Sequence, residues 1–177
     1  MKKLFTLFLA LVATTALWAY DFQVDSICYN ITSDTTVKVT SSVASPGNET
    51  NYPNLTIANI PETVIYNGST YSVTSIGNSA FLRCSSLTSV TIPNSVTSIG
   101  YSFHGCSSLT TVVWNAHNAP IRANDGPFRD CPIASFTFGE EVKHIPYRLC
   151  SGLTRLTSVT IPNSVTSIGA ICSQDLL

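Results

Sequence analysis

The chain has 177 residues, 44% of them hydrophobic and only 11% charged, with a formal net charge of -1 at pH 7. That length suits a single domain with a sizeable core. So sparse a charge, with no basic cluster beyond Lys2-Lys3, excludes binding to nucleic acid or to an anionic membrane surface.

In chain order, Met1-Lys2-Lys3 is a basic n-region and Leu4 to Ala13 an apolar h-region, with Ala16 and Ala19 as candidate cleavage points. Residues 1–19 therefore read as a secretory signal peptide. A transmembrane anchor is disfavoured because threonines interrupt the run and no stop-transfer pattern comes after it. No cysteine stands at the cleavage region, which argues against a lipid anchor. Without those 19 residues the chain carries 7 basic and 10 acidic side chains, a net charge of -3. The expected location is secreted, extracellular or on the cell surface, with no membrane insertion after cleavage.

Residues 20–72 form a first region, expected to be a β-rich cap. Phe22-x-Val24 and Ile27-x-Tyr29-x-Ile31 alternate at period two, Thr32 to Thr36 is polar, and Val37-x-Val39 alternates again, predicting strand, turn and strand. Ser41 to Pro53 has the composition of a loop. Val64-Ile65-Tyr66, Asn67-Gly68 and Tyr71 to Val73 predict a hairpin, since Asn-Gly accepts the two positive φ angles of a type I′ turn. This region is read as shielding the apolar end of the repeat region beyond it, the alternative being a separate adhesive β domain.

Residues 73–177 are organised by a repeat. The stretch LTSVTIPNSVTSIG occurs at Leu87 to Gly100 and again at Leu156 to Gly169, an offset of 69, or three times 23. Leu109-x-x-Val112-x-Trp114 and Ile133-x-x-Phe136-x-Phe138 fall between them in register. Each unit is apolar at positions 1, 4 and 6, predicting strands at Leu87–Ile92, Leu109–Trp114, Ile133–Phe138 and Leu156–Ile161. A second apolar pair comes next in the unit: Val96 and Ile99, Val142 and Ile145, Val165 and Ile168. Before each strand stands an aromatic with a cysteine, at Phe81 and Cys84, Phe103 and Cys106, and Phe128 and Cys131. In the fourth unit Cys150 and Leu153 take those places. One unit has too few apolar side chains to offset the ordering of its own backbone, so such coils fold only when stacked.

The pattern I-G-x-x-A-F-x-x-C-x-x-L-T-x-V-T-I-P-x-S-V-T-x-I-G resembles the BspA-like branch of leucine-rich repeats of bacterial surface proteins. The expected architecture is a repeat solenoid of the leucine-rich-repeat type, mainly β with short helical turns. It comprises about four 23-residue coils plus the N-terminal β cap, and is incomplete at its C-terminus. The resemblance implies adhesion-type binding. The repeat departs from the pattern between Trp114 and Pro120, at Pro146 and at Cys150.

The six cysteines follow the repeat and include no C-x-x-C, which argues against zinc. Cys84, Cys106 and Cys131 share a column, and coils about 4.8 Å apart would allow a disulfide between neighbours. Inward-facing column cysteines usually act as small hydrophobes, so buried free thiols are the preferred reading. Cys28, out of phase with Ile27 and Tyr29, is expected to be accessible. Sequons at Asn30, Asn48, Asn54 and Asn67 arise readily in so Ser/Thr-rich a chain and are not read as glycosylated.

No nucleophile, acid and base form a recognisable set, so no catalytic residue, metal or cofactor is assigned, and the chain is read as no enzyme. His104, His117 and His144 match no motif, and Trp114 occupies an inward column. Charge is uneven: nine of the 17 charged residues after position 19 lie between Arg122 and Arg155. The candidate partner-binding residues are therefore Arg122, Asp125, Arg129, Asp130, Glu140, Glu141, Lys143 and Arg148, on the third coil and its entry loop. The expected function is binding of a protein or glycan ligand, ligands of host origin included. The alternatives are a structural spacer or a fragment of a longer repeat protein, and, less favoured, a secreted hydrolase. The residues after Ile168-Gly169 do not complete another unit, so an apolar end and end-to-end self-association are expected.

Overall fold

The structure, a computed structural model, describes residues 19–43, 51–121 and 126–169. The n- and h-regions at 1–18 and the C-terminal stretch 170–177 lie outside the described residues. Among the described residues twelve strands form, and the connections are turns without helix. None of these residues lies in a helix long and apolar enough to cross a membrane.

The chain opens with a meander of β1 (Phe22–Val24), β2 (Ile27–Ser33) and β3 (Thr36–Thr40). The single strand expected from Phe22 to Ile31 is in fact two. Asp25 and Ser26 both take positive φ, at 47° and 67°, and fold Phe22 onto Tyr29 and Val24 onto Ile27. That is the geometry of a tight hairpin turn, and the apolar alternation changes phase across it, from Phe22 and Val24 to Ile27, Tyr29 and Ile31. The expected turn between β5 (Thr63–Tyr66) and β6 (Ser69–Ile76) is present, with Asn67 at φ 49° and Gly68 at φ 78°.

The repeat builds two strand rows. The first contains β4 (Ile57–Asn59), β7 (Ser89–Ile92), β9 (Thr111–Trp114) and β10 (Ser135–Phe138), all parallel; the fourth strand expected at Leu156–Ile161 is reduced to a single bridge, Thr160 to Thr137. The register follows the columns, Val90 opposite Val112 and Ile92 opposite Trp114. Leu87, Val90 and Ile92 are buried while Ser89 and Thr91 are half-buried on the outer side. The second row joins β3 to β6 and β6 to β8 (Ser98–Ile99), with Ile99 bridged to Ile121; β11 (His144–Ile145) pairs with β12 (Ser167–Ile168) further on.

β4 was not expected. Leu55-x-x-Ala58-x-Ile60 carries the same three columns, and Ala58 and Ile60 are buried. The period is hidden because the β5 hairpin is spliced into this coil, separating Ile60 from Val73 where Ile92 and Val96 are nearly adjacent. A division at 72/73 therefore passes through β6, which belongs to both cap and coil.

The expected short helical turns are replaced by successive tight turns, in which Ala80, Leu82 and Cys84 donate their N–H to the carbonyls of Gly77, Ser79 and Phe81. Ser79 and Arg83 take positive φ, and a left-handed residue cannot continue a helix. The position before the cysteine column is left-handed in each of the four coils: Arg83, Gly105, Asp130 and Gly152.

Inside this turn corner the rings of Tyr52, Phe81, Phe103 and Phe128 stack in sequence, with centroids 5.1, 4.8 and 5.2 Å apart. Beside them Cys84, Cys106 and Cys131 each donate S–H to a carbonyl of the preceding coil, those of Asn51, Phe81 and Phe103, at 2.9–3.0 Å. These cysteines, with Cys28 and Cys150, are free thiols and buried. Cys28 is thus not accessible, contrary to its phase in β2. The Tyr52 hydroxyl reaches over that face, accepting from Cys28 N–H and donating to the Thr40 carbonyl. Burial accordingly pushes the Cys28 thiol above its ordinary value.

Candidate functional site

The charges of the third coil stand at both ends of β10. On the N-terminal side, Arg129 and Asp130 occupy the exposed turn between Phe128 and Cys131. The left-handed backbone at Asp130 (φ 58°) is one that aspartate tolerates better than most residues. Its carboxylate lies 3.4 Å from His104 Nδ1 and 3.7 Å from Arg129 Nε, and the His104 ring stacks on Tyr101. The Arg129 carbonyl accepts the N–H of Gly105, which ties this turn to the coil before it.

On the C-terminal side, Glu140 and Glu141 are exposed in the turn that leaves β10. Glu141 Oε2 lies 3.2 Å from His117 Nε2. Lys143 is exposed, while its carbonyl accepts from both the N–H and the hydroxyl of Thr166. Arg148, half-buried and left-handed at φ 59°, holds its guanidinium 4.9 Å from the centre of the exposed Tyr147 ring. Arg122 and Asp125 lie outside the described residues.

Sequence reasoning passed over the partners of these charges. His104 and His117 flank β9 as Asp130 and Glu141 flank β10, so both close approaches span the same junction between coils. The signal was there in principle, a histidine with a carboxylate about one repeat later. At exposed positions such pairs contribute only about 0–1 kcal/mol each. His144 and Ser167 are register partners, and Nδ1 and Oγ share a 2.6 Å hydrogen bond. Trp114, by contrast, is wholly buried and donates Nε1–H to the Ala116 carbonyl, as its column required.

The arrangement offers a rigid frame with a polar exterior. Serine and threonine hydroxyls bond across coils at repeated positions: Ser95 to the Val73 carbonyl, Ser164 to Val142, Thr88 to Thr56 and Thr97 to Thr74. Against this uniform surface the third coil supplies the variation.

Residues 74–175 match the family model described as BspA type leucine rich repeat region, in six copies, where the column spacing alone counts about four coils. Among solved structures, the leucine-rich repeat protein of T. pallidum is similar with a TM-score of 0.61 at 25% identity, over 88% of this chain and 67% of that one. A leucine-rich repeat protein from Bacteroides capillosus is similar with a TM-score of 0.50 at 25% identity, over 88% of this chain and 93% of that one. One from Bacteroides ovatus is 23% identical with a TM-score of 0.48, over 86% of this chain and 50% of that one, so this chain spans about half its length. No curated protein matches. With more than half of its length matched by one family model, the chain belongs to the BspA-type leucine-rich repeat family.

Proposed function

We propose that the chain is an exported, cell-surface or secreted repeat protein that binds a protein or glycan ligand and catalyses no reaction. One observation carries the reading. The third coil sets Arg129, Asp130, Glu140, Glu141 and Lys143 exposed on turns at both ends of a strand held in a parallel row. The matching positions of the neighbouring coils, His104-Gly105 and Ser151-Gly152 before the strand and Ala116-His117 and Asn163-Ser164 after it, hold no Asp, Glu, Lys or Arg. Binding residues concentrate on loops that a rigid scaffold positions. Family membership supports the binding class, and the n- and h-region pattern of residues 1–19 supports export.

The test is a glycan array with a panel of host surface and matrix proteins, and then alanine substitution of Arg122, Arg129, Lys143 and Arg148 together. That variant is expected to weaken the ligand found, with the larger difference at low salt, where charges are least screened. Unchanged affinity, with loss on altering Thr91, Thr111 and Thr160 instead, would move the site to the outer face of the first strand row.

A further inference from the structure

Along the second strand row most coils present a Thr-Ser pair outward before the column isoleucine: Thr74-Ser75, Thr97-Ser98 and Thr166-Ser167. The third coil substitutes Lys143-His144 before Ile145. With His117 and Asn118 of the second coil and Thr166 and Ser167 of the fourth, these two residues line one open groove across three coils. Its floor is stapled by backbone bonds, His144 N–H to the His117 carbonyl and Thr166 N–H to the Lys143 carbonyl.

Every lining residue is of a polar type, and none offers a phenyl or indole face on which a neutral sugar would stack. Lys143 is the one formally charged lining residue, and its side chain is exposed. The Glu141 carboxylate lies beside the groove, 3.2 Å from His117 Nε2. The hydrogen bond to Ser167 Oγ fixes the His144 imidazole in the groove wall.

We propose that this groove binds an acidic sugar, a glycan unit bearing a carboxylate or a sulfate. Lys143 meets the anionic substituent, and Asn118, His144, Thr166 and Ser167 meet ring hydroxyls. The inference rests on the reading of the chain as a ligand-binding surface protein and specifies the ligand class at its third coil.

The experiment titrates the purified chain by calorimetry with three oligosaccharides of equal length: one containing glucuronate, one a sulfated chondroitin fragment, and one a neutral maltooligosaccharide. The same titrations are run on Lys143→Thr/His144→Ser, which restores the Thr-Ser pair of the neighbouring coils and so keeps the fold. At least one acidic oligosaccharide is expected to bind tenfold or more tighter than the neutral one, and to lose tenfold or more in the variant. Whether the carboxylated or the sulfated probe binds identifies the anion. Equal binding of acidic and neutral probes, or unchanged affinity in the variant, overturns the inference. A protein ligand recovered from the host panel with no acidic sugar bound also overturns it, while leaving the proposed function standing. Acidic-sugar binding that survives Arg129→Ala/Arg148→Ala but not Lys143→Thr/His144→Ser supports this groove over a site spread across the whole coil.

Discussion

The column cysteines Cys84, Cys106 and Cys131 join neighbouring coils as hydrogen-bond donors and as free thiols. The Cys131 thiol is held above its ordinary value of 9.0, first by its neighbour Cys106 and then by burial. Tyr29 and Tyr52 are raised from 10.0, in both cases chiefly by burial. A group whose folded value is raised contributes stability that is intact below its unfolded value and is lost as pH climbs above it. Stability should therefore hold to about pH 9 and fall beyond it, by roughly 1.4 kcal/mol per pH unit for each group involved. Urea unfolding at pH 7.5 and 10.5 measures this, and Cys131→Ser should flatten the dependence. The left-handed position offers a second residue-scale test. Gly152 sits at φ 74° with nothing within 4 Å of where a Cβ would project. Gly152→Ala thus isolates the backbone term and should destabilise by about 1–2 kcal/mol, read from the shift in urea midpoint.

At the scale of the element, the β5 hairpin is an insertion between the two strands of the first coil. It gives the meander its cover: Tyr66 stacks on Phe22 at 4.2 Å, and Val64 is buried. Replacing residues 61–72 by Pro-Asn-Ser, the linker that comes after Ile92, should leave β7, β9 and β10 intact. It should also speed amide exchange in β1 and β2, measured by hydrogen–deuterium exchange. Equal acceleration across all strands would show that the hairpin supports the whole stack. The hairpin was legible from Asn67-Gly68 because a two-residue turn is local chemistry. β4 was not, since an insertion hides a period without altering any residue that carries it.

For the whole molecule, the last described coil sets the expectation. Ile161 and Ile168 are 40% and 54% exposed, whereas their column mates Ile92 and Ile99 are at 0%. Apolar side chains that neighbouring coils bury are here left to solvent, and a second copy could cover them. Sedimentation velocity should show concentration-dependent self-association, reduced in Ile161→Thr/Ile168→Thr. A monodisperse monomer over a wide concentration range would refute it.

The sequence by itself determined the repeat: which side chains of Leu87–Ile92, Leu109–Trp114 and Ile133–Phe138 face inward, the inward place of Trp114, and the cysteine column. Periodicity settles these because side-chain direction along a strand is a local property of the backbone. The charged third coil was legible as composition, though its division between the two ends of β10 was not. Only the tertiary structure decided the reversal at Asp25-Ser26, the burial of Cys28 beneath Tyr52, the parallel docking of β3 on β6, and the pairing of His104 and His117 with Asp130 and Glu141. Each joins residues through contacts between separate segments, and no spacing along the chain specifies which segment arrives to cover which face.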